Sequence, residues 1–349
     1  MVLFLQEKNI DTPPLDKGGG IRFNGGTTNL RPKEGTMNRK KQRHAMRILW
    51  LCIAVLALCA AAALALLLPV PAAKTVQIPG DRGDIPATVQ MPSGLSRAGE
   101  VPVVVLCHGF TGNREGDGHF APLADDLAQR GIATVRLDVA GCGDSTEPYT
   151  AYTLANMAAD VNAAITWMQQ EYGAHGPVAL VGHSMGGRLA SLYPQISARQ
   201  GYAPVSALVL WSPANGTGLQ GLEFLNIEDF SQVEALAAEA KANGQVGTRW
   251  GVEISAAFVE EMEQSDPNAA LREAGLPVLL TYSGQDTVLS ANTIAETEAA
   301  VASLPGSTVL TEPFAQGNHN YQNEDETVNA QLDEDLRTAT ADFLSAALR

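Results

Sequence analysis

Gly182-His-Ser184-Met-Gly186 joins an apolar run, Val178–Val181, to a helix-like run, Gly187–Tyr193. A serine in that setting sits on a sharp, strained turn between a strand and a helix, with its hydroxyl projecting from the end of a sheet. Gly182 and Gly186 leave room for the strand and helix to approach closely. The Met185 N–H then points to where a developing oxyanion would lie. The chemistry this serves is attack by an activated hydroxyl on a carbonyl carbon. A tight turn whose serine only caps the helix would have the same five residues, but the strand before and the helix after favour a nucleophile.

Such a serine needs a base, and the base needs an orienting acid. The chain order that goes with this turn is serine, acid, histidine. The six histidines are at 44, 108, 119, 175, 183 and 319, and only His319 lies well downstream of Ser184. It follows a strand-like Ser307–Thr311 in Gln316-Gly-Asn-His319-Asn-Tyr321. The acid belongs after the preceding strand, which Pro277–Tyr282 resembles, and Asp286 follows it in Ser283-Gly-Gln-Asp286. An aspartate that only forms an Asx-turn is the bland alternative. Glu312 is too near His319 to serve. The second oxyanion donor belongs after the buried-strand run Val101–Cys107. There His108-Gly109-Phe110 offers the Phe110 N–H beside a glycine that allows close approach. His108 reads as structural, holding this loop by hydrogen bonds.

From Lys74 onward, strands and helices alternate, the pattern of a mostly parallel sheet covered on both faces. Thr75–Ile78 and Ala87–Met91 form an opening hairpin. Strands at 101–107, 131–138, 205–211 and 307–311 join the two already named. Phe120, Leu123 and Leu127 mark one helix. Leu154, Met157, Val161, Ile165 and Met168 mark a longer one, and Val328, Leu332, Leu336 and Phe343 mark the last. Between Ser212 and Leu276 the pattern loosens over a stretch too long for a structureless loop. Helices are expected at 226–243 and 250–262. The stretch at about 213–276 reads as an inserted lid over Ser184, with Phe224, Phe230, Trp250 and Phe258 as a possible pocket wall.

The N-terminus has three parts. Residues 1–36 are rich in Gly, Pro and polar types and read as disordered, or as untranslated with Met37 as the true start. Residues 37–47 form a basic segment. Residues 48–70 are 23 without a charge, long enough for a spanning helix and longer than the usual core of a cleaved signal. Arg39, Lys40, Lys41, Arg43 and Arg47 precede it, which would keep the N-terminus in the cytoplasm and place residues 74–349 outside. A single-pass membrane anchor is expected, with a cleaved signal and secretion as the alternative.

The net charge is −15. The first 47 residues hold 10 Lys and Arg against 4 Asp and Glu, leaving 13 basic and 34 acidic residues beyond Arg47. So acidic a domain argues against binding nucleic acid or anionic lipid. No Cys/His cluster has metal-ligand spacing, and no cofactor is expected. Of four cysteines, Cys52 and Cys59 fall in the apolar segment. Cys107 and Cys142 could come near each other, but disulfide geometry is demanding.

Five segments together resemble a known family. They are His108-Gly-Phe-Thr-Gly-Asn-Arg114, Arg136-Leu-Asp-Val-Ala-Gly-Cys-Gly-Asp-Ser145, Gly182-His-Ser-Met-Gly-Gly187, Gly284-Gln-Asp-Thr-Val-Leu-Ser290 and Gly317-Asn-His-Asn-Tyr321. From about residue 76 to 345 the chain resembles the α/β-hydrolase superfamily, and more closely the bacterial cinnamoyl/feruloyl esterase-like serine hydrolases. The resemblance implies an α/β-hydrolase fold, with a mostly parallel eight-stranded sheet, helices on both faces and an inserted lid. It implies a small-molecule ester as substrate, cleaved by a triad of Ser184, Asp286 and His319 with Phe110 and Met185 as the oxyanion hole. In that subfamily a lid after the sixth strand helps bind an aromatic acyl group, whereas a membrane anchor is not its usual form. Peptidases, thioesterases and lipases use the same triad. A catalytically silent binding module on the same fold is the rival from another class.

Overall fold

The computed structural model describes residues 43–44, 46–55, 72–93 and 100–349. The chain divides into two units, residues 1–58 and 59–349. In the first, residues 46–55 are helical, and Trp50 and Leu51 are largely exposed. Among the described residues no helix is long and apolar enough to cross a membrane. The expected segments 1–36, most of 37–47, and 56–70 of the uncharged run lie outside the described residues.

The second unit is built on an eight-stranded sheet. Its strands are β1 (Lys74–Pro79), β2 (Asp84–Gln90), β3 (Val103–Cys107), β4 (Ala133–Leu137), β5 (Val178–His183), β6 (Ala207–Trp211), β9 (Val278–Thr281) and β10 (Thr308–Leu310). The order is β1-β2-β4-β3-β5-β6-β9-β10. The β1–β2 hairpin is antiparallel and β2 runs antiparallel to β4, while every later pair is parallel. Every residue of β3, β4, β5, β6 and β9 is buried. Parallel strands covered on both faces read as continuous apolar runs for that reason.

Side chains alternate between two cores. Val103, Val105, Leu180, Leu208 and Leu210 point to one core. Val104, Leu106, Val181, Val209 and Trp211 point to the other. Helices α2 (Leu154–Tyr172) and α3 (Met185–Gln200) cover the first face, and α1 (Phe120–Gln129) and α8 (Glu326–Ala347) the second. The expected helical stripes meet these cores. Phe120, Leu123 and Leu127 are wholly buried, and so are Val161, Ile165 and Met168. On α8, Leu332 and Leu336 are buried, while Val328 and Phe343 are only partly so.

The insertion between β6 and β9 differs from expectation in detail. A 3-10 turn covers Gly218–Leu225, and α4 (Phe230–Asn243) begins four residues later than its apolar spacing suggests. Asp229 stops the helix there, its carboxylate accepting from the Ser231 N–H. A small hairpin follows, β7 (Gln245–Gly247) and β8 (Glu253–Ser255), and its second strand stands where helix was expected. Gly244 and Gly251 take left-handed φ at its ends, and Val246 pairs with Ile254, both buried. Helices α5 (Ala256–Gln264) and α6 (Pro267–Ala274) follow, capped by Ser255 and Asp266. Helix α7 (Ala291–Ala302) lies between β9 and β10.

Polar contacts pin the insertion to the sheet layer. Arg188, wholly buried on α3, donates to the carbonyls of Ala214 (2.8 Å) and Gly216 (2.7 Å) and to Ser265 Oγ (2.7 Å). It thereby grips both ends of the insertion. Glu261 accepts from the Leu154 N–H at the start of α2, and Glu223 accepts from the Ser290 N–H at the start of α7. These carboxylates satisfy unpaired donors at helix starts and complement the helix dipoles. Burial is the main cause that raises the Glu261 pKa, against the pull of the two amides it accepts from. Removing the guanidinium leaves its buried acceptors unpaired. Arg188→Ala is therefore expected to destabilise the full-length protein by ~3 kcal/mol in urea unfolding, with Arg188→Lys recovering only part.

Candidate active site

The turn after β5 has the strained backbone its residue types imply. Ser184 has φ 54° and ψ −115°, a region that costs a non-glycine residue roughly 1–3 kcal/mol. Its neighbours hold it there. The Ser184 N–H donates to Trp211 O (2.9 Å), and its carbonyl accepts from the N–H groups of Arg188 (3.0 Å) and Ala214 (3.0 Å). The side chain makes no capping hydrogen bond to α3, so the hydroxyl is not spent on the helix. Space explains the glycines. A Cβ on Gly186 would lie 2.0 Å from Cys107 O, and one on Gly182 would lie 2.2 Å from Gly186 O. Gly109 brings the β3 loop against the serine, since a Cβ there would meet Ser184 Cβ at 3.1 Å.

His319 and Asp286 meet across two loops. His319 Nδ1 lies 2.7 Å from Asp286 Oδ2. The other carboxylate oxygen accepts from the N–H groups of Val288 (2.8 Å) and Leu289 (3.1 Å). Burial pushes the Asp286 pKa up, but its bond and attraction to His319, with the two backbone donors, outweigh this and hold it below the usual carboxylate value. The acid is 1% exposed and the histidine 12%. Ser184 and His319 line one cavity of ≈ 340 Å³, with Phe110, Phe224 and Trp250 as its aromatic wall. A larger hollow of ≈ 670 Å³ lies among Pro102, Arg130, Ile132 and Leu348. It sits where β3 and β4 begin, whereas ligands of such sheets bind beyond the strands' carboxyl ends.

Of the oxyanion candidates, Met185 directly follows Ser184 and Phe110 lines the same cavity. Met185 is the first residue of α3 and fully buried, so its N–H is one of the unpaired donors of a helix start. In the loop after β3, the Thr111 N–H donates to Tyr149 Oη (3.1 Å) and the Gly112 N–H to Gly109 O (3.1 Å). His108 is structural, as expected. Its Nδ1 faces Gly109 O at 2.8 Å and its Nε2 accepts weakly from the Val139 N–H at 3.4 Å. Burial lowers its pKa.

Several functional neighbours escaped the sequence reading. His183, beside the serine, lines the cavity and donates through Nε2 to His319 O at 3.1 Å. Burial, then the nearby His319, push its pKa down to about 3. Val288, Asn318 and Asn320 also line the cavity. Phe110 is the hub of the aromatic wall, with its ring centroid 4.9 Å from Phe224 and 5.2 Å from Tyr149. Phe258 packs behind Phe110 with centroids 6.4 Å apart, while Phe230 is only partly buried and does not line the cavity.

Comparison with known proteins agrees with this architecture. Residues 102–243 match the family described as the alpha/beta hydrolase fold. The AB hydrolase superfamily protein YisY of Bacillus subtilis is 33% identical over 111 residues, 32% of this chain and 37% of that protein. The chain thus matches little more than a third of that relative's length. Est1E of Butyrivibrio proteoclasticus, solved with ferulic acid bound, superposes with a TM-score of 0.58 at 20% identity, covering 76% of this chain and 99% of its own. The esterase Pf2001 of Pyrococcus furiosus gives 0.54 at 17% identity, over 80% and 93%. The domain has the α/β-hydrolase fold.

Cys107 and Cys142 are buried free thiols, so no disulfide joins them. Burial pushes both up to about 12. Both are thereby held as the unreactive thiol, because the thiolate is the reactive form. Iodoacetamide at pH 8 should leave both unmodified in the native protein and alkylate both after unfolding, as read by peptide mass mapping.

Proposed function

We propose that this chain is a serine hydrolase that cleaves carboxylic esters through an acyl-enzyme. The observation that carries the proposal is the strained Ser184 sharing a cavity with His319, whose Nδ1 is bound to the buried Asp286. Ser184 Oγ attacks the ester carbonyl. His319 Nε2, free because Nδ1 faces Asp286, takes the hydroxyl proton. Asp286 fixes the ring and stabilises its charged form. The oxyanion is assigned to the N–H groups of Phe110 and Met185, and losing one such donor typically costs ~2.7–4 kcal/mol. The tetrahedral intermediate collapses, the alcohol leaves with the His319 proton, and water then clears the acyl group by the same route.

The aromatic wall of Phe110, Phe224 and Trp250 favours a flat apolar acyl group, and the insertion supplies two of those three side chains. Peptides, thioesters and long-chain lipids are the competing substrates for the same three residues. The uncharged run 48–70 behind five basic residues supports a single-pass anchor with an extracytoplasmic domain, and secretion after cleavage is the alternative.

The full-length protein should label with a fluorophosphonate probe. Ser184→Ala should abolish labelling and cut p-nitrophenyl ester turnover at least about a thousandfold; a mutant that keeps wild-type rates overturns the proposal. Asp286→Asn should lower kcat by about 10⁴ by leaving the imidazole in the wrong tautomer. A panel of short acyl, long acyl, feruloyl, thioester and peptide substrates then ranks the substrate classes. A folded wild type that neither labels nor turns over any of them would favour a silent binding module.

A further inference from the structure

Two histidines that are not part of the proposed triad hold consecutive carbonyls of the loop carrying His319. His183 Nε2 reaches His319 O at 3.1 Å, and His119 Nε2 reaches Asn320 O at 2.9 Å. His119 is buried at the start of α1, and its side chain does not line the cavity. Its other ring nitrogen, Nδ1, lies 2.7 Å from Asp333 Oδ1 on α8. A carbonyl and a carboxylate can only accept. Both ring nitrogens of His119 must therefore donate, and only the imidazolium carries two N–H groups.

The counter-charge is built in. Burial pushes the Asp333 pKa up, but hydrogen bonds from His119 and Arg337 prevail and hold it below the usual carboxylate value. Arg337 Nε donates to Asp333 Oδ2 at 2.8 Å, and the same guanidinium pairs with Asp126 on α1. Also near the ring are His183 on β5, pushed down to about 3 and so neutral, with Asp117 3.8 Å from its Nδ1, and the edge of Trp211 on β6, with ring centroids 6.2 Å apart. The pair thus joins α1, α8 and the His319 loop through one ring.

We propose that His119, paired with Asp333, is a positioning residue for His319: a second His–Asp pair that acts through the backbone of the loop and not on the substrate. The inference rests on reading His319 as the general base. A base on a loop must be held to a fraction of an ångström, and a misplacement of about 1 Å can cost 10²-fold in rate. The neutral His119 ring has one N–H and must release either Asn320 or Asp333. The clamp is therefore whole only while His119 carries both N–H groups, the reverse of the demand on His319, which must be neutral to accept a proton.

The test compares wild type, His119→Ala, His119→Gln and Asp333→Asn as full-length proteins. Thermal unfolding is recorded with kcat and KM for a p-nitrophenyl ester from pH 6 to 9. His119→Ala should lower kcat on the order of 10- to 100-fold while KM stays within about twofold. His119→Gln keeps a donor for Asn320 and should recover part of that loss. In Asp333→Asn the imidazolium loses its counter-charge, so kcat should fall and its pH profile should depart from that of wild type. Imidazole nitrogen NMR of the wild type near pH 7 should find His119 doubly protonated.

A folded His119→Ala with wild-type kcat, an Asp333→Asn profile that superimposes on wild type, or a neutral His119 signal would each overturn the proposal. If His119→Ala does not fold, Asp333→Asn and the NMR signal decide. Failure of the hydrolase reading looks different: Ser184→Ala would retain turnover, or the wild type would have none, while the NMR signal would still report the charge on His119.

Discussion

The close approach of three backbone segments at the end of β5 is the constraint on which the site depends. The β5 strand, the first turn of α3 and the loop after β3 come so near that a single Cβ on Gly182 or Gly186 would collide with main-chain atoms. That crowding forces Ser184 into a left-handed conformation, and bonds to Trp211, Arg188 and Ala214 keep it there. The strain is local and small beside the burial of the sheet around it. Its result is a hydroxyl raised off the helix and aimed at a cavity, with a helix-start amide beside it. A relaxed serine at the same point would fall back to cap α3.

Around that turn the electrostatics are arranged by burial. Asp286 is taken out of water yet stays ionised, because His319 and two amides replace the water it lost. Its folded pKa is depressed, so its contribution to stability is present above the ordinary carboxylate range and disappears as pH falls through the depressed value. His183 goes the other way. It is buried beside a second imidazole with only one strong acceptor, so it stays neutral and acts as a single donor. His119, by contrast, faces an acceptor on each side, Asp333 and the Asn320 carbonyl.

The insertion is fixed to its base as firmly as Ser184. Arg188 leaves the helix that Ser184 begins and ends on carbonyls at both necks of the insertion, so one residue couples the elbow helix to the wall above it. Glu261 and Glu223 seat the wall on the starts of α2 and α7. Phe224 and Trp250 come from this wall and Phe110 from the loop that Gly109 brings to the serine, so the aromatic face has parts from both layers.

What the sequence determined by itself was whatever depends on neighbours along the chain. Continuous apolar runs between glycines mark buried parallel strands, and a small-residue turn between a strand and a helix marks the elbow. A loop aspartate after one strand and a loop histidine after the next mark Asp286 and His319. The insertion was legible as an interruption but not in its parts, because three-residue strands such as β7 and β8 leave no periodicity to read and Asp229 resets the start of α4. Tertiary structure alone decided what surrounds each of the site's titratable groups. Nothing near His119 or His183 in sequence announces the acceptors that each ring meets. Among them are partners 214 and 136 residues away, and for His183 it is burial and the neighbouring His319 that hold the ring neutral.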